Sequence, residues 1–149
     1  MGYVGAARAP VGCVFCAARS GSDDRSSLVL CRRDLAFLIL NAYPYTPGHL
    51  MAVVNRHVGT LTDATADEIG ASMELVKLAV AVLTVEYRAE GFNIGLNQGR
   101  VAGAGLPGHL HWHIVPRWNG DTNFMPVLGE TKVLAQSLDA LYDLIRVHL

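Results

Sequence analysis

The chain has 149 residues, of which 51% are hydrophobic and 17% are charged, as expected for one globular domain with its own core. Its formal net charge of −1 gives no overall positive field for holding a long nucleic acid. We therefore predict a small anionic ligand and no nucleic-acid partner. No apolar run approaches the roughly 20 residues of a membrane-spanning helix, so we predict no membrane partner either.

The N-terminus and the cysteines indicate where the protein works. Residues 1–12 are rich in Gly, Ala and Arg and lack the continuous apolar segment of a signal peptide. We predict that they form a flexible arm and that residues 13–149 form a single domain. The three cysteines do not make an even set of disulfides, so we predict a cytoplasmic protein with reduced thiols.

The first motif with chemical meaning is the pair Cys13 and Cys16. Such a spacing is typical of half a zinc site or of a redox pair at the start of a helix, and it also occurs by coincidence. The polar residues that follow favour a loop, which disfavours the redox pair. We therefore expect structural zinc, with two more ligands among His49, His57 and a histidine near residue 110. Cys31 lies alone in an apolar segment and is expected in the core.

Three apolar segments before residue 56 predict an antiparallel meander. They are residues 28–32, 35–40 and 49–55. Residues 92–96 predict a fourth strand that leads into a glycine-rich stretch. That stretch, residues 97–108, contains four glycines and one proline, so its backbone N–H groups can approach an anion closely.

Two helices are predicted. Thr65 and Glu68 form a capping box at the start of the first helix, and Gly91 stands where a C-terminal glycine belongs. Its apolar stripe, which would face the core or a dimer partner, consists of Ile69, Met73, Val76, Val80, Leu83 and Tyr87. Residues 132–149 carry a second apolar stripe at helical spacing and predict a C-terminal helix.

Three of the six histidines lie at alternate positions, 109, 111 and 113. Alternate side chains of a strand share one face, so His109, His111 and His113 should lie together. The opposite face would carry Leu110, Trp112 and Ile114. The row allows a solvated polar face, a metal site, or nucleophilic chemistry by a neutral imidazole whose second nitrogen is fixed by a backbone carbonyl. Pro116 lacks an N–H and is expected to end the strand.

These residues resemble the signature of the histidine triad (HIT) family. The pattern is Asn97-x-Gly99-x-x-Ala102-Gly103 followed by His109-x-His111-x-His113-Ile114-Val115-Pro116. The resemblance runs from about Cys13 to the C-terminus, and the segment from Trp118 to Phe124 is most similar to the diadenosine tetraphosphate phosphorylase branch. It implies a homodimer and an α+β, HIT-like fold with about five antiparallel strands, a long central helix and a C-terminal helix.

The resemblance also implies roles for single residues. His111 matches the middle histidine and would be the nucleophile, while His113 and Asn97 would hold phosphoryl oxygens. The backbone amides that would stabilise the developing charge are those of Gly103, Ala104 and Gly105. Asn41 would bind ribose hydroxyls, although the residues alone equally allow it to cap its own turn.

Zinc-bearing members of the family use ligands that match four residues of this chain. These are Cys13, Cys16, His57 and His109. If His109 binds zinc, it orients the strand and does not act on the substrate, so its assignment as a catalytic or a metal-binding residue stays open.

We therefore predict an enzyme that cleaves a dinucleoside polyphosphate such as diadenosine tetraphosphate through a nucleotidyl-histidine on His111, with phosphate or water as acceptor and no organic cofactor. Residues 104–108 form a longer connector than a common family pattern and contain no polar side chain, which disfavours a purine nucleoside phosphoramidase. Two further functions stay open: a zinc-ordered nucleotide-sensing module with little catalysis, and a hydrolase whose zinc is held by the histidine row itself.

Overall fold

The computed structural model describes residues 12–121 and 137–149. Five antiparallel strands form one sheet in the order β1-β2-β3-β5-β4. The strands are β1 Val29–Arg32, β2 Ala36–Leu40, β3 Leu50–Val54, β4 Gly91–Gly95 and β5 His111–Arg117. The helices are α1 Val14–Ser20, α2 Asp24–Ser27, α3 Ala66–Glu86 and α4 Leu138–Arg146, with a 3₁₀ turn at Arg100–Ala102. The predicted α+β architecture and its five strands are confirmed.

Both faces of the central strands are covered. Every residue of β2 and β3 is buried, because alternate side chains enter two different cores. One core lies under α3 and α4 and includes Leu38, Leu50 and Ile114. The other lies under α1, where Phe15 packs with Phe37 and other strand residues. The segment of the predicted C-terminal helix before Ser137 falls outside the described residues, as do residues 1–11 of the predicted arm.

The prediction that a loop follows Cys16 was wrong, because α1 begins at Val14 and continues to Ser20, and α2 begins at Asp24. Side chains supply their caps: the backbone N–H of Cys16 donates to Cys13 Sγ at 3.5 Å, and that of Ser26 donates to Asp23 Oδ1 at 3.1 Å. Capping satisfies amide groups that a short helix otherwise leaves unpaired. The Cys-x-x-Cys pair therefore lies at the beginning of a helix.

The helix α3 starts where it was predicted to start, but it ends earlier and buries a different face. Thr65 and Glu68 form the capping box, yet the helix ends at Glu86, and Gly91 instead begins β4. Arg88, with φ of +51°, takes the left-handed position that was assigned to glycine. The most buried stripe contains small residues such as Ser72 and Ala79, both fully buried, while much of the predicted stripe is half-buried.

A hydrogen bond made by Ser72 explains why α3 turns this face toward the sheet. Its hydroxyl accepts a hydrogen bond from the indole Nε1–H of Trp112 at 3.0 Å. Small residues at this face let α3 approach the sheet closely, and the hydroxyl satisfies an indole that would otherwise be buried without a partner. No helix in the described part of the chain is long and apolar enough to cross a membrane.

The prediction that Pro116 ends its strand was also wrong, because β5 continues to Arg117. Pro116 is in register with Phe92 of β4, but pairing with β3 stops at Ile114. At Pro116 the strand therefore has a partner on one side only, which is the setting in which a sheet tolerates a proline.

We expect Glu68→Gln to lower the free energy of unfolding by about 1–3 kcal/mol. The Glu68 side chain is 7% exposed, accepts from Arg56 Nη2 at 2.8 Å and accepts the Thr65 N–H at 2.9 Å, so an amide would break a buried network. Urea denaturation measures the change. Glu74→Gln on the same helix is the control, since Glu74 is 72% exposed in its pair with Lys77 and should contribute less than about 0.5 kcal/mol. Equal losses in both variants would contradict the prediction.

Candidate functional site

The three histidines of the row share one face of the sheet, as predicted. His109 lies two residues before the start of β5, and His111 and His113 lie within the strand with ring centroids 4.9 Å apart. Phe15 of α1 packs against the rings of His109 and His111 at 5.5 and 4.8 Å between centroids. The opposite face points into the apolar cores, where Leu110 and Ile114 are buried and Trp112 is half-buried.

His111 has one nitrogen fixed by the backbone. Its Nδ1 lies 2.8 Å from the carbonyl oxygen of His109, which only accepts, so Nδ1–H is the donor. Burial lowers the pKa of His111, and the bond to the carbonyl opposes this less strongly. The ring is therefore neutral at pH 7 with its lone pair on Nε2, and an imidazole in this tautomer is a nucleophile.

A fourth histidine completes the site. His49 is fully buried, and its Nδ1 accepts the backbone N–H of Tyr45 at 3.2 Å. Its Nε2–H therefore donates to His113 Nδ1 at 2.9 Å. Burial and the neighbouring His113 lower the pKa of His49 to about 4, which keeps this ring neutral. Because His113 Nδ1 accepts this hydrogen bond, the ring proton of His113 lies on Nε2. His113 can therefore donate to a phosphoryl oxygen.

Sequence reasoning considered His49 only as a zinc ligand. The structure places it beside His113 instead. Met51 of β3 pairs with His113 of β5, and His49 lies just before β3, so the sheet register brings the two histidines together. In the sequence, His49 follows a Pro-Gly turn at the start of a predicted strand, which marks it as a residue that could belong to the site. Only the pairing of β3 with β5 shows that it lies beside His113.

The four predicted metal ligands lie together. One ligand atom from each of Cys13, Cys16, His57 and His109 falls within 4.8 Å of all the others. His57 Nδ1 is 3.3 Å from Cys16 Sγ, and His109 Nδ1 is 3.4 Å from Cys13 Sγ. A tetrahedral zinc ion holds its sulfur and nitrogen ligands about 3.3–3.8 Å apart, so this donor set and spacing fit zinc.

The tautomer of His109 also fits a metal. Its Nε2–H donates to the carbonyl oxygen of Val54 at 2.6 Å, which leaves the lone pair of Nδ1 directed at the cysteines. Burial and the neighbouring Cys13 raise the pKa of Cys16 to about 11, so a thiolate at this position requires a cation in contact with it. These observations favour zinc over a redox pair although the cysteines begin a helix.

Two glycines allow the loops that carry His57 and His109 to meet. A Cβ at Gly108 would lie 3.1 Å from His57 Nε2, and one at Gly59 would lie 2.8 Å from the carbonyl oxygen of Pro107. A side chain at Gly59 would clash with the backbone, and one at Gly108 would displace the His57 ring. The close approach positions His57 against the cysteine pair.

The glycine-rich loop closes on itself through its own amides. Gly103 N–H donates to Arg100 O at 3.0 Å, and Ala104 N–H donates to Gly99 O at 3.3 Å. Of the three amides predicted to face phosphate, Gly105 is the one for which the described residues offer no acceptor. The assignment of Gly103, Ala104 and Gly105 to phosphate stays a prediction, and the first two amides already have partners.

Asn41 caps its own turn, the second of the two roles that its sequence position allows. Its Oδ1 accepts the backbone N–H of Tyr43 at 2.8 Å, and its Nδ2 lies 3.4 Å from the His49 ring nitrogens. Contact with ribose stays a prediction.

Two aromatic side chains follow the histidine strand: Trp118 donates its indole N–H to Tyr87 O at 3.0 Å, and Phe124 lies outside the described residues.

An open groove of about 520 Å³ adjoins His113, and we call it the β4–β5 groove. Its walls include Tyr45, Asn93, Asn97, His113, Arg117 and Asp121. Sequence reasoning identified Asn97 and His113 but missed the others, because they come from a loop, an edge strand and the end of β5.

The HIT domain family model matches residues 23–120, so the chain belongs to the HIT family. A Mycobacterium tuberculosis protein named AP-4-A phosphorylase is 46% identical over 115 residues, which are 77% of this chain and 59% of that protein. A Schizosaccharomyces pombe protein named bis(5'-nucleosyl)-tetraphosphatase (asymmetrical) is 34% identical over 95 residues, covering 64% of this chain and 52% of that protein. The chain thus spans little more than half the length of these relatives.

Solved structures show the same fold. A zinc-bound histidine triad family protein from Mycobacterium smegmatis has a TM-score of 0.73 at 25% identity, covering 92% of both chains. A histidine triad nucleotide-binding protein from Sulfolobus tokodaii has a TM-score of 0.72 at 26% identity, covering 91% of both chains. The expected HIT-like fold is therefore confirmed.

We expect Cys16→Ser to abolish zinc binding and to lower the melting temperature, because it removes one of four ligands. Elemental analysis of the purified chain gives the zinc content, and chelation should lower the melting temperature of the wild type but not of the variant. Cys31→Ser is the matched control, since Cys31 lies outside the cluster. A Cys16→Ser protein with undiminished zinc would place the metal elsewhere.

We expect His49 to make folding sensitive to acid. Its pKa is about 4 in the folded chain and about 6.5 when unfolded, so the unfolded state binds more protons between these values. The contribution of His49 to the free energy of unfolding is therefore complete above about pH 6.5, and it falls by up to about 3 kcal/mol as the pH drops to 4. His49→Asn should flatten the slope of unfolding free energy against pH by up to one proton. His148→Gln, near the end of the chain, is the control, and an unchanged slope in His49→Asn would refute the prediction.

Proposed function

We propose that this chain is a nucleotidyl-transferring enzyme that cleaves a dinucleoside polyphosphate of the diadenosine tetraphosphate type through a nucleotidyl-histidine on His111. The observation that carries the proposal is the hydrogen bond of His111 Nδ1–H to the His109 carbonyl, which leaves Nε2 unprotonated. The names of the relatives from M. tuberculosis and S. pombe support the substrate class.

In the first step, the Nε2 lone pair of His111 attacks the α-phosphorus. A P–N bond forms, and the bond from this phosphorus to the bridging oxygen breaks, with its electron pair leaving on ATP when the substrate is diadenosine tetraphosphate. The Nε2–H of His113 stabilises the charge that develops on the phosphoryl or leaving oxygen. The side-chain amide of Asn97 and the N–H of Gly105 would supply further donors.

His49 is a positioning residue in this scheme. Because its Nδ1 accepts the Tyr45 N–H, its Nε2–H donates to His113 and sets the tautomer of that ring. The four histidines of the site have lowered pKa values, chiefly because burial disfavours the charged form. The site therefore offers the phosphate hydrogen bonds from neutral rings, and its nucleophile needs no deprotonation at pH 7.

In the second step, an oxygen of the acceptor attacks the same phosphorus and the P–N bond breaks, which returns the electron pair to His111. We favour orthophosphate as the acceptor, because the relative that is 46% identical is named a phosphorylase. The products are then ADP and ATP. Water as the acceptor would give AMP and ATP.

Cys13, Cys16, His57 and His109 would hold a structural zinc ion, whose four bonds would connect the start of α1 to the loops that carry His57 and His109. His109 then orients the strand and is not a catalytic residue. The zinc-bound M. smegmatis structure supports this assignment.

We also propose a cytoplasmic homodimer. In the described part of the chain, β4 forms one edge of the sheet, and its residue Ile94 is 45% exposed. An open edge with an exposed apolar side chain suits a sheet that continues into a second copy. Sedimentation of the purified chain tests the dimer.

The reaction is tested with diadenosine tetraphosphate in the presence and absence of orthophosphate, with separation of the nucleotide products. ADP and ATP formed only with phosphate support the phosphorylase, and AMP and ATP formed in both tubes support a hydrolase. Nucleotide binding without products in either tube would overturn the proposal in favour of a binding module.

We expect His111→Asn to lower kcat by a factor of about 1,000 or more while nucleotide binding stays measurable, since Asn keeps a donor for the His109 carbonyl but has no nucleophilic nitrogen. Mass spectrometry of wild type quenched in alkali during turnover should find the nucleotidyl group on His111. His148→Asn is the control. An active His111→Asn variant would remove His111 from the role of nucleophile.

A further inference from the structure

Of the residues named in the walls of the β4–β5 groove, only His113 and Asn97 have a role in the two steps on His111, so the rest of the groove has no role yet. A dinucleoside polyphosphate has two nucleosides, and the step on His111 transfers only one of them. The groove begins at His113, on the side of the histidine row away from the Cys and His cluster. Its volume of about 520 Å³ lies within the range of roughly 300–1,000 Å³ that is usual for small-molecule sites.

Tyr45 gives the groove a stacking surface. Its ring is nearly parallel to the His113 ring, with 17° between the planes and 6.1 Å between centroids, and it also contacts His49 at 4.6 Å. Tyr45 is nonetheless 72% exposed. A tyrosine that is held on one side by two histidines and open on the other can stack on a nucleobase.

Two amide side chains supply donors along the groove. Asn93 Oδ1 accepts from Arg117 Nη1 at 2.8 Å, which leaves its Nδ2 group for another acceptor. Asn97 also lines the groove, and within the described residues its side-chain amide has no hydrogen-bond partner. Donors of this kind suit the oxygens of a phosphate chain and of a ribose.

The charge of the groove wall is largely balanced. Arg117 contacts both carboxylate oxygens of Asp121, at 2.6 and 2.9 Å. The groove therefore combines an aromatic ring with neutral amides, which fits a nucleoside end better than a free inorganic anion.

We propose that the β4–β5 groove binds the leaving nucleotide. Asn97 contacts the phosphates next to the bond that breaks, Asn93 contacts the chain or ribose beyond them, and Tyr45 stacks on the second base. The inference rests on the proposed function and adds that Tyr45 and Asn93 distinguish a dinucleotide from a substrate with a small leaving group.

The test compares two substrates that share the transferred AMP group but differ in the leaving group. One is diadenosine tetraphosphate, and the other is the p-nitrophenyl ester of AMP, whose leaving group has no phosphate or nucleoside. Tyr45→Leu keeps the backbone N–H that holds His49 but removes the ring. We expect it to lower kcat/KM for diadenosine tetraphosphate about tenfold more than for the ester. Asn93→Ala should change the ratio in the same direction.

Tyr43→Leu is the matched control, because Tyr43 is 87% exposed on the same loop but does not line the groove. If Tyr45→Leu lowers both reactions equally, or affects neither more than Tyr43→Leu does, the leaving nucleotide does not bind in the groove and only this inference fails. If the wild type cleaves neither substrate, the proposed function fails and this inference fails with it.

Discussion

Both parts of the site depend on His109, which connects them through its ring and its backbone. The ring donates from Nε2 to Val54 O at 2.6 Å, and this bond directs Nδ1 at Cys13 and Cys16. The carbonyl of the same residue accepts from His111 Nδ1–H at 2.8 Å and so fixes the tautomer of His111, the proposed nucleophile. A metal bound to the ring would restrain the backbone carbonyl that orients His111, and in the proposed mechanism the metal site would thereby position the nucleophile without contacting the substrate.

Desolvation is the dominant electrostatic effect in this site. For His109 and His111, burial lowers the pKa more than the bonds to backbone carbonyls raise it. A cationic imidazole would bind phosphate more strongly but would have no lone pair for attack. In the proposed mechanism, neutral rings attract phosphate less strongly but keep a lone pair for attack at pH 7, so oriented N–H donors would have to supply the affinity for phosphate.

Sequence periodicity predicted the parts of the molecule that depend on local rules. The alternation of His109, His111 and His113, the meander and the capping box at Thr65 are all set by backbone geometry within a few residues. The four metal ligands were predicted only through the family resemblance, because spacing alone left His49 and His57 equally eligible.

What the sequence did not predict depends on contacts between distant segments. The bond between His49 and His113 joins residues that are 64 positions apart, and it needs the left-handed turn at Gly48, where φ is +84°. The end of α3 was misplaced because Arg88 accepts a strained conformation that propensity assigns to glycine. The rotation of α3 was missed because it follows from the partner that Trp112 finds in Ser72.

The bond between Trp112 and Ser72 also bears on the chemistry. Because side chains alternate along β5, a slip of one residue would turn the histidines into the core and the apolar residues toward the face of the candidate site. Pairing with β3 fixes the register from His111 to Ile114, and pairing with β4 fixes it from His113 onward. On the core face, the Trp112 indole is satisfied only while it reaches Ser72, so any slip would leave a buried N–H without an acceptor. The apolar side of the strand therefore maintains the register on which the position of His111 depends.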